Sequence, residues 1–402
     1  MTRIIVLALC TLAAVISLIQ GIRNALHLSA DLQWTDVVLL RQHQDPFQVY
    51  LSGDPEHLLM QWQIPNYLHE MYAIELPLAW VSFPTAEGIW IAVNLLLLAA
   101  SLAMLIRIYG LTRREAPLYV ALVLCSTGFR NTLGLGQQSF FALFCFCAII
   151  WLDHRSTFRS ALALGGLYAK YSFAPVLFGY LLARRQFRIL ALSFVLPAIG
   201  YVVVLVCIHG QHPWRLLIEP FLVSRYGVGP GKADIMTFIE HISAGRAAML
   251  LAYLLGLCIA LSYGWFVHRS GLSLPAAAAG IAAATLICVK HVEYDLLFLI
   301  LPMAFFLKRR DRYAAIALTI LGYLFYVDRW IPVHSIIPDQ AARIVYFLLI
   351  VSIVILVHLA DRVDRQAVAA SLPTCSSAVK GTRKESLSLA TPVRSAVERA
   401  GA

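Results

Sequence analysis

Charge is what this chain has least of. Only 13% of its 402 residues are charged, against about a quarter in an ordinary soluble domain, while 60% are hydrophobic and the mean hydropathy is +0.75. That balance excludes a water-soluble globular domain of ordinary composition. Useful cysteine patterns are also missing. Cys10, Cys125, Cys145, Cys147, Cys207, Cys258, Cys288 and Cys375 fall almost all inside apolar runs, with neither zinc-site nor disulfide-framework spacing. They read as small buried hydrophobes. Acids are fewer than bases, 22 against 32, but the net charge of +10 gives no case for nucleic-acid binding. The bases sit in short loops and near the C-terminus, where the positive-inside rule puts them. The N-terminal apolar stretch lacks a small-x-small cleavage site before the next polar loop, so it is expected to be a retained first span. No internal repeat is evident.

What is present is a recurrence of apolar runs near the roughly 20 residues that a membrane span requires. They place spans near 4–20, 88–107, 116–129, 138–152, 160–171, 173–183, 189–209, 247–267, 273–289, 294–307, 313–327 and 343–360. The expected fold is all-α, a polytopic membrane helix bundle of about 12 spans, with a range of 10–13. Loops carrying Arg107/Arg113/Arg114, Arg155/Arg159, Arg184/Arg185/Arg188, His268/Arg269 and Lys308/Arg309/Arg310/Arg312 alternate strictly if both termini are cytoplasmic. The segment Tyr67–Phe83 is apolar but short and broken by Glu70, Glu75 and Pro77, so it reads as a juxtamembrane or re-entrant helix. The stretches 160–171 and 173–183 are too short for two full spans, and their turn at Lys170 lies within the bilayer only if it faces protein or water. Residues 366–402, rich in Ser, Ala and Thr, read as a disordered cytoplasmic tail.

One loop breaks the rhythm. Residues 23–70 remain polar and aromatic, and 23–87 is the first outer segment in which chemistry is expected. It shares its face with Arg130–Ser139, 210–245, Lys290–Asp295 and 328–342, and Lys170 points the same way. Asp31 and Asp36 follow the first span closely. Either is suited to a general-base role if burial tunes its pKa, or to an ordinary loop or cap role. Trp34 and Trp62 fit interfacial anchors or a stacking floor for a sugar ring. Gln137, in Gly134-Leu135-Gly136-Gln137-Gln138-Ser139, can hydrogen-bond sugar hydroxyls or phosphate. Lys170 is ionisable within an apolar hairpin, where such residues mark functional sites; the alternative is a lysine snorkelling to the surface. In Lys290-His291-Val292-Glu293-Tyr294-Asp295, His291 and Asp295 stand four apart. They form a hydrogen-bonding wall rather than a metal site, since no second histidine stands nearby. Arg225 and Lys232, flanking glycine-rich 226–231, are further candidates for a phosphate.

Asp31-Leu32-Gln33-Trp34, followed by Gln44-Asp45-Pro46-Phe47, resembles the Asp-Phe … Gly-x-Asp-Pro-Tyr opening of glycosyltransferase family 87. Pro65-Asn66-Tyr67, Leu76-Pro77-Leu78 and Trp90 with Asn94 are similar to that family's next block. Gly136-Gln137 resembles its Gly-Gln loop, Lys170 with Pro175 its Lys-x-x-Pro turn, and His291 with Tyr294 its later outer-loop signature. The resemblance covers roughly residues 25–305. Phe47 stands for Tyr, Asn66 for a usual second Pro, and the Lys–Pro spacing is stretched.

The resemblance implies a C-type glycosyltransferase fold over residues 1–365 and transfer of a sugar, mannose first, from a polyprenyl-phosphate donor to a glycolipid or glycan acceptor. It implies inversion, with neither cofactor nor metal required. Asp31, with Asp36 as runner-up, would be the base. Lys170, Arg225 and His291 would face the donor phosphate, and Trp34, Gln137, Tyr294 and Asp295 the sugar or acceptor. Membrane lipids would surround the bundle in the cell (plasma or inner) membrane, with the site on the outer face. The rival reading is a transporter or flippase of a lipid-linked glycan. It predicts inverted repeats and acids near the midplane, whereas the acids here cluster in outer loops.

Overall fold

The computed structural model describes residues 2–60, 63–152, 155–227, 231–242 and 246–371. Trp62 and the expected tail from residue 372 onward lie outside them, as does the side chain of Arg225. The described residues through Arg362 form one compact unit, and those from Val363 to Ser371 belong to a second.

The described residues are helical, without a strand. In chain order they form α1 (Thr2–Ala25), α2 (Trp34–Arg41), α3 (Pro46–Leu51), α4 (His69–Glu75), α5 (Phe83–Tyr109), α6 (Ala116–Cys125), α7 (Thr127–Gly134) and α8 (Ser139–Trp151). Next come α9 (Thr157–Tyr168), α10 (Pro175–Ala183), α11 (Phe187–Ser193), α12 (Val195–Cys207), α13 (Pro213–Leu216), α14 (Glu219–Gly227) and α15 (Ile235–Ile242). The last are α16 (Arg246–Arg269), α17 (Leu274–Cys288), α18 (Ile300–Leu307), α19 (Arg312–Gly322) and α20 (Asp339–Ser371).

Five stretches are long and apolar enough to cross a membrane: Leu7–Ala25, Phe83–Tyr109, Phe187–Cys207, Leu250–Arg269 and Asp339–Ala370. The expected count of about 12 crossings is not reached by continuous helices among the described residues. Local breaks are the reason. At 1.5 Å per residue, α9 and α10 reach only about 18 Å and 14 Å, and a 3-10 turn at Tyr171–Phe173 separates them. The stretch expected as a span at 294–307 opens as a 3-10 turn, Glu293–Leu299, and becomes α-helical only from Ile300. Likewise α4 and the 3-10 turn Leu76–Trp80 fill the segment read as juxtamembrane.

Two breaks build the site. Helices α7 and α8 pass the apolar test together but bend by 118°. Ser126 starts α7 by accepting a hydrogen bond from the Phe129 N–H, satisfying an otherwise orphaned donor. In the bend, Gly136 adopts φ +68°, and a Cβ there would sit 3.4 Å from Leu32 Cβ. Glycine thus permits both the left-handed turn and the close approach of the 23–87 segment at Ser29 and Leu32.

That segment is a folded layer, not a loose loop. Leu32, Val37, Phe47, Tyr67, Tyr72 and Trp90 are buried together in a core of their own, joined by residues of α12 and by Ala169. Asp45 caps α3 through Phe47 N (2.9 Å) and Gln48 N (3.3 Å), which gives this acid of the Asp-Pro motif a structural task. Helix α4 lies against α12 at Gly200, where any Cβ would overlap the Glu70 and His69 backbone. Gly200→Val is therefore expected to destabilise the protein by about 1–3 kcal/mol through overpacking against main chain that cannot give. A thermal melt in detergent would check it, and an unchanged midpoint would mean that α4 is free to shift.

Candidate active site

The side chains that converge come from five separated stretches: the turn before α2, residues 66–67 ahead of α4, the α7–α8 bend, the turn after α9, and residues 290–295. Asp31 stands first. Its N–H donates to Leu135 O (2.8 Å), and its carbonyl accepts from Gln138 Nε2 (2.9 Å) and Gln33 Nε2 (3.0 Å). Main-chain docking on the bend leaves the carboxyl free, and the residue remains partly exposed. Burial pushes its pKa up to about 6, against the opposing pull of the Gln137 amide and the Lys170 charge. The Gln137 amide lies beside Asp31 without completing a well-formed hydrogen bond, since its Nε2 has no partner.

Lys170 follows α9, where the chain leaves the helix into the Tyr171–Phe173 turn. Its ammonium touches Asp295 Oδ1 (2.5 Å), Ser139 Oγ (2.6 Å) and Gln137 Oε1 (3.3 Å). Three donors meet three acceptors, so the charge is anchored rather than snorkelling. Tyr67 OH also donates to Gln137 Oε1 (2.9 Å), and Ser139 OH donates to Asp295 Oδ1 (2.9 Å). The Tyr294 ring centre lies 4.8 Å from Lys170 Nζ, within cation–π range.

Asp295 lies in the 3-10 turn, before the helical part of its segment. Burial would raise its pKa, but the Lys170 and His291 charges outweigh that and hold it near 2. His291 Nδ1 lies 3.0 Å from Asp295 Oδ2. The four-residue spacing makes this contact through an extended stretch and a 3-10 turn rather than an α-helix. His291 Nε2 is buried and without a partner, and its ring packs on Phe173 at 4.4 Å.

A cleft with about 590 Å³ of free space, part of it open to solvent, is lined by Asn66, Tyr67, Lys170, Lys290, Tyr294 and Asp295 among others. Of the residues singled out in the sequence, Lys170, Tyr294 and Asp295 line it, and the fully buried Gln137 joins them through Lys170 and Tyr67. Tyr67 and Ser139 were passed over as participants. The signal for Tyr67 was its place in the Pro65-Asn66-Tyr67 block.

Other candidates fall elsewhere. Asp36, in α2, is fully buried with neither carboxyl oxygen hydrogen-bonded. Burial and neighbouring Glu75 raise its pKa well above the usual range. Trp34 donates to Leu78 O (3.1 Å) and Val81 O (3.2 Å) and packs against Phe83, so it ties α2 to the following turn instead of lining the cleft. Lys232 pairs with Asp328 and lies 3.7 Å from Glu293. Among the described residues no group of three or more His, Cys, Asp or Glu side chains could hold a metal ion.

A family model, that of glycosyltransferase family 87, matches residues 71–327, nearly two thirds of the chain. The chain belongs to glycosyltransferase family 87. The matched region holds Gln137, Lys170, Arg225, His291, Tyr294 and Asp295, while Asp31, Trp34 and Asp36 precede it. The chain is also similar to an alpha-(1->3)-arabinofuranosyltransferase of Corynebacterium glutamicum, 27% identical over 165 residues. That match spans 39% of this chain and 39% of the relative. No solved structure matches.

Proposed function

We propose that this family 87 protein is an integral-membrane glycosyltransferase of the C-type fold, moving a sugar from a polyprenyl-phosphate donor to an acceptor hydroxyl. One observation carries the reading: the carboxyl of a partly exposed residue, Asp31, raised by its surroundings to a pKa of about 6, stands near the anchored Lys170–Asp295 pair. Lys170 and Asp295 line the cleft, and Asp31 lies close enough to feel both charges.

Asp31 removes the acceptor hydroxyl proton as that oxygen bonds to the anomeric carbon. The bond from anomeric carbon to phosphate oxygen breaks on the opposite face, and its electron pair leaves with the phosphate. The outcome is inversion. A base whose pKa lies just below neutrality is mostly ionised yet still takes up a proton usefully. Lys170 serves as a fixed positive charge near the leaving group, of the kind preorganised sites use. Its three donors are already engaged, so direct phosphate contact requires the exchange of one, and Lys290 on the same wall is a further cation for the phosphate. His291, through its unpartnered Nε2, and Arg225 are the remaining phosphate candidates, with Gln137, Tyr294 and Asp295 toward the sugar and acceptor.

Mannose is the first sugar this reading assigns, with a glycolipid or glycan acceptor at the outer face of the cell membrane. The similarity to the corynebacterial arabinofuranosyltransferase supports arabinofuranose as the second. Protein in liposomes, offered equal amounts of polyprenyl-phosphate mannose and polyprenyl-phosphate arabinofuranose, should label an acceptor lipid pool mainly from mannose. Preferential pentose transfer would replace mannose by arabinofuranose and leave the rest of the scheme standing.

A further inference from the structure

Against the Asp31 main chain, and outside the cleft lining, lies a layer of buried polar groups that the reaction scheme does not use. Gln33, Gln138 and Glu75 are each 0% exposed. The Gln138 amide nitrogen has two N–H groups. One meets Asp31 O (2.9 Å) and the other Glu75 Oε1 (3.0 Å). Both partners are acceptors, so the amide nitrogen must face them, and no flipped assignment of Gln138 satisfies both. Gln33 supplies the second donor to Asp31 O (3.0 Å), and the Gln33 backbone N–H in turn bears on Glu75. Every side-chain donor on the Asp31 carbonyl is therefore tied back to one carboxyl.

We propose that Glu75 is a positioning residue for the base: through Gln138 and Gln33 it fixes the Asp31 main chain, and with it the place of the Asp31 carboxylate. This inference rests on the proposed role of Asp31. Glu75 itself reaches no cleft residue among its hydrogen-bond partners. Its other oxygen is buried and unpartnered, and the neighbouring titratable groups are Asp36, likewise without partners, Tyr72 and, from the cleft wall, Tyr67. Burial pushes the Glu75 pKa up to about 8, so at neutral pH it carries a proton. As a neutral acid it accepts through Oε1, which a glutamine at this position reproduces.

The experiment compares Glu75→Gln, Glu75→Leu, Gln138→Leu and Asp31→Asn in full-length protein reconstituted in liposomes, with polyprenyl-phosphate mannose as the probe donor. Glu75→Leu and Gln138→Leu are expected to lower kcat by about 10- to 100-fold, as misplacement of a reacting group does. The KM for donor should stay within about twofold, because uniform ground-state binding is not removed. The acid limb of the rate profile should also move below pH 6, toward the ordinary carboxylate range, as a loosened Asp31 gains water. Lys170, Asp295, Tyr67 and Tyr294, which face Asp31 from the cleft side, are unchanged in these variants. Glu75→Gln should keep kcat within about threefold of wild type, since the acceptor on Gln138 survives.

If Glu75→Leu fails to fold, Gln138→Leu and Glu75→Gln still decide. Wild-type kcat and an unmoved acid limb in folded Gln138→Leu overturn the inference alone, provided Asp31→Asn is inactive. Loss of activity in folded Glu75→Gln to the level of Asp31→Asn also overturns it, because the carboxyl itself would then be required. Full activity in Asp31→Asn overturns both the inference and the function it rests on.

Discussion

Asp31→Asn is expected to lower the rate of transfer by about 10²- to 10⁴-fold, the usual contribution of a positioned general base. Asparagine is nearly isosteric and the Asp31 main-chain bonds remain, so the melting midpoint should stay close to wild type. Asp36→Asn is the contrasting case. Asp36 is enclosed in α2 without hydrogen bonds to either carboxyl oxygen, and its ionised form is already disfavoured. An amide there should leave the rate within about threefold, since no transition-state contact is removed. The pH profile follows from the same carboxyl. The base works ionised, and burial raises its pKa to about 6. The wild-type rate should therefore climb as pH rises through 6 and level off above it, until another group intervenes. A limb near 4 would mean that Asp31 is fully hydrated during turnover.

Removal of the Lys170 ammonium is the second large effect. Lys170→Met leaves the Asp295 carboxylate, 3% exposed, with only His291 and the Ser139 hydroxyl as partners. Breaking a buried pair at one end typically destabilises by about 3–5 kcal/mol, because the surviving charge stays desolvated. Activity should be lost together with stability. The double variant Lys170→Met/Asp295→Asn removes both charges and should recover much of the melting midpoint, but not the transfer rate. Recovery of both would show that Lys170 is purely structural. A single variant as stable as wild type would show that the site is wetter than its burial indicates.

Parts of this arrangement were legible in the residues. A lysine inside an apolar hairpin marks an ionisable group needing partners, and the structure supplies three. The four-residue spacing of His291 and Asp295 produced the expected contact, although the backbone between them is not the helix that the spacing implied. The polarity of residues 23–70 marked the first outer segment, while its separate core around Phe47 and Tyr72 gave no periodic signal. Asp31 and Asp36 were inseparable on sequence, being two acids five residues apart. They part because α2 begins at Trp34: Asp36 turns inward on the helix, and Asp31 stays in the preceding turn, docked against Leu135. Trp34 was open between an interfacial anchor and a sugar platform, because an exposed tryptophan and one donating to two carbonyls look alike in a string. The span count exceeded the long helices for a related reason. Hydropathy sees apolar length, whereas the 118° bend at Gly136 and the 3-10 turns at Tyr171 and Glu293 depend on tertiary contacts. Glu75 gave no signal as a positioning residue, since its partner Gln138 is sixty-three residues away.

The most direct test uses purified protein in liposomes with radiolabelled polyprenyl-phosphate mannose and a membrane-lipid extract as acceptor pool. Label should pass into a new glycoside, the product should carry the inverted anomeric configuration, and Asp31→Asn should abolish its formation while Asp36→Asn does not. Absence of transfer from any polyprenyl-phosphate sugar, with protein-dependent movement of the intact donor across the bilayer, would contradict the account and identify a transporter instead.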